Sequence, residues 1–379
     1  ESEMKVGILT FWTGLDNYGQ TLQSYALQYF LRRKGYYAYV VKYQIISKKN
    51  LRWWLNAPFK IVKYVYLFLF HKKRFNLYFT FKEQKRKVMI ENKKHPRYFE
   101  QFKAKHICFS NEVYDQYSLF KNPPEADAYI AGSDQIWGGL DPGFFLQFAP
   151  KGKKCIAYAP SFGGVKLNRR TRKILKDYLR RFSVLAMREQ GGVNLCKSVG
   201  REDAFLVMDP TLLLSSMDYS SISIPVKQTT DYILLYLLGN DMDFDISSVY
   251  DWADKHHFAV KYVASQGRLD NYEKIYPNVD EWLGLIQSAK YVVTNSFHGT
   301  VFSVIMNRKF LTIPLSGAFI RMNGRVIDLL GRLGLESRIY SGNMDVLSLP
   351  IEYDEINAIL SEERMRMSLN FDKWLSSDY

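Results

Sequence analysis

The sequence predicts an α/β fold of two Rossmann-like domains facing a cleft, with a basic helical insertion in the first domain. Three observations predict it. Short apolar runs alternate with stretches of helical periodicity, the rhythm of βαβ units with parallel strands and right-handed crossovers. The 379 residues suffice for about two domains, and the polar stretch Ser215–Asp231 divides the pattern into two series. Polar clusters recur after the apolar runs, at the carboxyl ends of strands, where open α/β sheets bind ligands.

The elements follow in order. Val6–Phe11 reads as a strand, Thr13–Gly19 as turn chemistry, and Tyr37–Tyr43 as a second strand. Between them Gln20–Arg33 reads as a helix, with Leu22, Tyr25, Ala26, Tyr29 and Phe30 on one face and Lys34-Gly35 closing it. Past the insertion, about 48–105, come strands at Ala128–Ala131, Cys155–Ala159, Val184–Met187 and Phe205–Met208, with a helix at Asn168–Arg181. The second series places strands at Tyr232–Leu238, Ala259–Ala264, Tyr291–Thr294 and Phe310–Pro314. Its helices fall at Ile246–His256, Glu281–Ser288 and Thr300–Met306. The domains are thus expected at 1–218 and 230–350, with a helical tail at 351–379.

A 47% hydrophobic and 24% charged composition excludes disorder as the main state. The net charge of +14 is local: residues 48–105 hold 17 Lys/Arg and three acids, and the remainder is balanced. A general nucleic-acid binder is therefore not expected. Three cysteines, Cys108, Cys155 and Cys196, show no metal-ligand spacing, so neither a disulfide scaffold nor a metal site is expected. No apolar run approaches the roughly 20 residues of a membrane span, and no signal-peptide pattern opens the chain. A cytoplasmic protein is expected. Within the insertion, Lys60, Lys63, His71 and Arg74 form a narrow stripe along the aromatic run Phe59–Phe81. That pattern fits an interfacial helix on anionic lipid, so residues 52–81 are expected to touch the inner face of the cytoplasmic membrane. The alternative is an insertion packed on its own domain with snorkelling lysines.

Asn295-Ser-Phe-His-Gly-Thr300 is the sharpest candidate site. A strand ends at Thr294 and a helix begins near Thr300, so free amides and a positive helix end make an anion site. His298 would add a charge or proton and Gly299 would let a ligand approach; an N-cap with a structural histidine is the alternative. The turn Thr13–Gly19 could cradle a phosphate or a substrate carboxylate, or make only a tight turn; it is not a dinucleotide fingerprint, and Asn17, Tyr18, Gly19 and Gln20 are expected to bind the acceptor. Asp134, Gln135 and Trp137 together suit a sugar, two polar groups for hydroxyls and an indole for the ring face. The alternative there is a helix cap. Arg188 could grip an anion or form a surface pair with Glu189.

The ordered motifs Asn17-Tyr-Gly-Gln20, Ala131-Gly-Ser-Asp-Gln-Ile-Trp137, Tyr158-Ala-Pro-Ser-Phe-Gly163, Met187-Arg-Glu189, Asp209-Pro-Thr211 and Thr294–Thr300 resemble the polysaccharide pyruvyl transferase family. The resemblance runs from about Met4 to Arg338, outside the insertion. It implies a GT-B-like fold and transfer of pyruvate from phosphoenolpyruvate to a sugar, as a cyclic ketal, in bacterial capsule, exopolysaccharide or cell-wall synthesis. It further implies that Arg188 and His298, with Asn295, Ser296, Gly299 and Thr300, hold phosphoenolpyruvate as co-substrate, with no cofactor. Many members carry Arg where Ser296 stands, and Arg321 or Arg325 could supply the missing guanidinium. His298 is the candidate for assisting phosphate departure or delivering a proton, Asp134 for orienting or deprotonating the acceptor. The expected acceptor is galactose or a related hexose, carried on an undecaprenyl-diphosphate-linked oligosaccharide. Two competing readings are a GT-B glycosyltransferase using a nucleotide sugar and a non-catalytic glycan-binding protein of an assembly cluster.

Overall fold

A computed structural model describes residues 3–14, 16–45, 72–227, 230–240, 242–265, 267–268 and 270–376. Of the segment expected at the membrane, residues 52–71 lie outside these. The first sheet has seven parallel strands in the order β3-β2-β1-β4-β5-β6-β7. They are β1 (Lys5–Leu9), β2 (Tyr37–Tyr43), β3 (Phe109–Tyr114), β4 (Ala128–Ala131), β5 (Lys154–Tyr158), β6 (Val184–Met187) and β7 (Phe205–Leu206). The second has four, β11-β10-β8-β9: β8 (Tyr232–Tyr236), β9 (Ala259–Val263), β10 (Tyr291–Thr294) and β11 (Lys309–Thr312). The inner strands read as unbroken apolar runs because they are covered on both faces; β8 is buried at all five positions.

Strand order reverses between β1 and β4 in the first sheet and between β8 and β10 in the second. Such switch points open a crevice beyond the strand ends. The loops that leave them, Thr10–Asn17, Gly132–Asp134, Leu237–Gly239 and Asn295–Ser296, are those the sequence marks as polar.

One apolar core runs through both domains. Tyr18, fully buried, stacks on Trp282 at 4.8 Å and donates to the Pro277 carbonyl at 2.6 Å. Tyr219 meets Phe302 edge-on at 4.8 Å. The tail is a single helix, Tyr353–Leu375, that returns to the first domain. There Phe371 packs on Phe30 and Tyr158, and Arg364 donates to the carbonyls of Leu212 and Leu214.

Several elements differ from the sequence reading. Helix Phe99–His106 and strand β3 occupy the end of the basic region and its flank, and helix Ser216–Ser220 interrupts the expected linker. β3 is an edge strand of mixed exposure, so it lacks the apolar run that marks its neighbours. Helix Phe297–Ile305 begins three residues before the expected start, because Ser296 caps it by accepting from the Gly299 amide. No helix among the described residues is long and apolar enough to cross a membrane.

Candidate functional site

The site is built around a buried carboxylate, Asp209, just past β7. Its Oδ1 accepts from the amide and hydroxyl of Thr211, at 3.0 and 2.7 Å. Oδ2 accepts from Arg188 Nη1 and Ser133 Oγ, both at 3.0 Å, and lies 3.6 Å from His298 Nε2. Burial alone would raise the Asp209 carboxyl. His298 first, then Arg188 and the Thr211 hydroxyl, instead hold it well below the usual carboxylate range. β4, β6, β7 and β10 each deliver one member of this cluster at its carboxyl end.

Arg188 is 4% exposed. Burial opposes its charge, but Asp209, Glu189 and Asp134 outweigh that and hold its pKa raised. Only Nη1 is bonded, to Asp209 and to Ser133 Oγ at 3.2 Å; Nε and Nη2 are buried with no hydrogen-bond partner. Nε lies 3.7 Å from Glu189 Oε2, too far for a hydrogen bond. Glu189 Oε1 accepts from Ser161 Oγ at 2.6 Å and the Phe162 amide at 3.3 Å, while Oε2 is also buried without a partner.

His298 lies in the first turn of helix Phe297–Ile305, and its Nε2, 3.6 Å from Asp209 Oδ2, is buried without a hydrogen-bond partner. Gly19 makes its position possible. A Cβ on Gly19 would fall 2.1 Å from His298 Nδ1, so the first domain's opening helix, Tyr18–Arg33, touches the imidazole only because that residue has no side chain. The guanidinium carbons of Arg188 and Arg325 lie 5.0 and 5.4 Å from the Phe297 ring. Burial, with the like charge of Arg188 next, pushes Arg325 down to about 10. The repulsion between these two buried like charges favours an anion beside them.

A cleft of about 280 Å³ opens beside this cluster, lined in part by Ser161, Gly163, Glu189, Arg321, Arg325 and Asp328. Gln135 reaches across the domain boundary, with Nε2 at 3.9 Å from Met322 Sδ. Asp134 (φ 79°) and Ala159 (φ 58°) are non-glycine residues in the left-handed region at adjoining strand ends, a strain of about 1–3 kcal/mol each that clusters at functional sites.

Six sequence candidates have other work. Trp137 is fully buried, stacked on Phe145 at 4.4 Å, with Nε1 donating to the Phe144 carbonyl at 3.1 Å; it offers no face to a sugar. Tyr18 is taken up by the domain junction. Asn295 is a clamp, its side chain accepting from the Leu238 amide at 2.7 Å and donating to the Leu238 carbonyl at 2.8 Å. Thr300 is buried between the Ser296 carbonyl and Thr312 Oγ1. Gly299 admits Thr294 rather than a ligand, since a Cβ there would lie 2.4 Å from Thr294 Oγ1. Asn17 caps its helix by accepting from the Gln20 amide, and Gln20 Nε2 approaches Asp134 Oδ2 at 3.5 Å. Arg321 is exposed at the cleft rim. Glu189, Asp209 and Ser133 sit within the motifs, yet nothing in the sequence singles them out; acids beside an arginine or a proline look like ordinary surface pairs and caps.

Two facing Rossmann-like domains with an anion-seeking cluster between them define a GT-B-like transferase architecture. A family model for polysaccharide pyruvyl transferases matches residues 17–317, and the chain belongs to that family of enzymes. No curated protein sequence matches the chain. Among solved structures, a Listeria monocytogenes protein assigned as a UDP-N-acetylglucosamine 2-epimerase aligns with a TM-score of 0.51 at 9% identity, over 98% of this chain and 96% of that one. A UDP-GlcNAc 2-epimerase from Neisseria meningitidis, solved bound to UDP-GlcNAc, gives 0.49 at 8% identity over 97% and 93%. At such identity the likeness is one of fold.

Proposed function

We propose that this enzyme transfers pyruvate from phosphoenolpyruvate to a pair of sugar hydroxyls, forming a cyclic ketal. The observation that carries the reading is Arg188, a buried guanidinium with Nε and Nη2 unpartnered beside His298, Arg325 and a helix N-terminus. Leaving such donors without acceptors is costly, whereas a phosphate or carboxylate takes them as a fork. The helix end adds its dipole and its first amides. Phosphoenolpyruvate has an anion at each end, and Arg188 and Arg325 supply one guanidinium for each. Arg325 thereby takes the part for which many family members use an Arg in place of Ser296.

The chemistry balances without a cofactor. A sugar hydroxyl bonds to C2 of phosphoenolpyruvate while C3 takes a proton and becomes a methyl group. The C2–O bond to phosphate then breaks with its electrons, and the second hydroxyl closes on C2. The two hydroxyl protons end on C3 and on phosphate. In this account His298 protonates the departing phosphate. Glu189 Oε2, buried, unpartnered and on the cleft wall, is the group for moving the hydroxyl proton to C3. Asp134 fits that part less well, because its Oδ1 accepts from the Gln135 amide at 2.8 Å and Oδ2 faces Gln20; it orients the loop. The acceptor is a galactose or related hexose of a bacterial surface polymer, presented as a lipid-linked oligosaccharide.

Thermal unfolding with phosphoenolpyruvate and, separately, with a panel of nucleotide sugars tests this. A ligand at 100-fold its dissociation constant adds about 2.7 kcal/mol to stability. The expected result is a raised midpoint with phosphoenolpyruvate, lost in Arg188→Ala and His298→Ala. A rise with a nucleotide sugar instead would overturn the reading in favour of glycosyl transfer.

A further inference from the structure

The end of the basic insertion forms one wall of a second cavity, of about 410 Å³. Helix Lys72–Lys94 and His95 lie on one side; the loop that leaves β9 lies on the other. On the second-domain wall, hydrogen bonds tie the lining side chains together. Asp270 accepts from Tyr262 OH at 2.7 Å, from Arg268 Nε at 3.0 Å and from Lys274 Nζ, and Arg268 Nη1 also donates to the Gly239 carbonyl at 3.0 Å. Two tyrosines line the space with their rings held in place, Tyr272 stacked on Tyr250 at 4.6 Å and Tyr276 stacked on His95 at 4.3 Å. Glu91, Asn92 and Glu273 also line the cavity.

We propose that this cavity is an outer acceptor subsite, holding an uncharged sugar ring of an oligosaccharide whose terminal residue reacts at the Arg188–His298 cluster. The inference rests on the ketal-forming reading above. Tyrosines, carboxylates and an amide gathered in one cavity supply hydrogen-bonding groups that suit a polyhydroxylated ring. Three lining carboxylates (Glu91, Asp270, Glu273) against two lining cations (Arg268, Lys274) leave no excess of positive charge for a diphosphate. The position also fits. Ser265 of the cavity wall donates to the Leu237 carbonyl, and Asn295, at the end of β10, clamps Leu238. The cavity and the His298 loop therefore lie along one sheet edge, on β9 and β10, two strand spacings or about 10 Å apart. That is the reach of an oligosaccharide rather than of a single ring. The insertion acquires a task in this account, to close the second domain over the acceptor.

The test uses the full chain with methyl β-galactoside, lactose and lacto-N-neotetraose, all galactose-terminated. Phosphate release from phosphoenolpyruvate is read for each, and saturation-transfer NMR reads binding without turnover. KM should fall about tenfold from the monosaccharide to the longer saccharides, and Tyr276→Ala or Asn92→Ala should erase that gain. Turnover with no length preference, or a preference that survives both variants, overturns the subsite. If no galactoside is turned over, the ketal reading with galactose fails and NMR decides the subsite. Saccharide binding that Tyr276→Ala abolishes supports it, while no binding by the unmodified protein, or displacement by UDP, refutes it.

Discussion

Asp209→Asn is the most informative single change, because it removes a charge and keeps the shape. Asp209 Oδ2 receives Arg188 Nη1 and Ser133 Oγ, both at 3.0 Å. An amide can present its oxygen to those donors, but its NH2 group then faces the Thr211 amide at the other oxygen's place. Either orientation sets donor against donor, and Arg188 loses its nearest counter-charge. Breaking a buried pair from one side costs about 3–5 kcal/mol. One core runs through both domains, so each kcal/mol is worth no more than about 2–4 °C, the value for a unit of roughly 200 residues, and the midpoint falls by at most roughly 6–20 °C. The sign of the pH dependence follows from the depressed Asp209 pKa. A carboxylate held below its unfolded value of about 3.9 contributes fully above that value and loses the contribution as pH falls toward its folded value. Calorimetry of both proteins between pH 7 and pH 3 should therefore show the largest gap at neutral pH, narrowing below about pH 4. A variant within about 1 kcal/mol of the parent at neutral pH would refute the claim that this ion pair organises the site.

Two further changes probe positions where the sequence and the structure assign different work. Gly19→Ala would put a methyl group 2.1 Å from His298 Nδ1 and 2.8 Å from its Cβ, so no rotation of the ring alone relieves it. Turnover should fall at least tenfold at a stability cost of about 1–3 kcal/mol, and unchanged phosphate release would remove His298 from the reaction. Trp137→Phe should cost about 1–3 kcal/mol through the lost bond to Phe144 and the smaller ring. Saccharide KM should stay as it was; a raised KM at unchanged stability would return the indole to the acceptor site.

The site was legible because each motif follows a strand, and parallel order brings the strand ends of each sheet to one edge. That rule places Arg188 near Gly132–Asp134, and Asn295–Thr300, on the other sheet, joins them because the two domains face each other. What the residues do there was less legible, because it depends on partners far away in the chain. Asp, Gln and Trp in one loop look alike whether the indole meets a sugar or Phe145, and only the fold of residues 141–149 decides it. Tyr18 reads as part of a ligand turn until Trp282, on the other domain, is found stacked on it. Asp209 was hidden for the opposite reason, since its partners Ser133, Arg188 and His298 come from three separate segments. The two glycines make the point most sharply. Sequence chemistry reads Gly299 as room for a ligand and Gly19 as part of a turn. In the structure both are room for the protein itself, Thr294 against one and His298 against the other. A missing side chain reveals that something comes close, and only the fold reveals what. Here the close approach at Gly19 ties the imidazole to the opening helix of the other domain, so the geometry of His298 depends on how the two domains sit against each other.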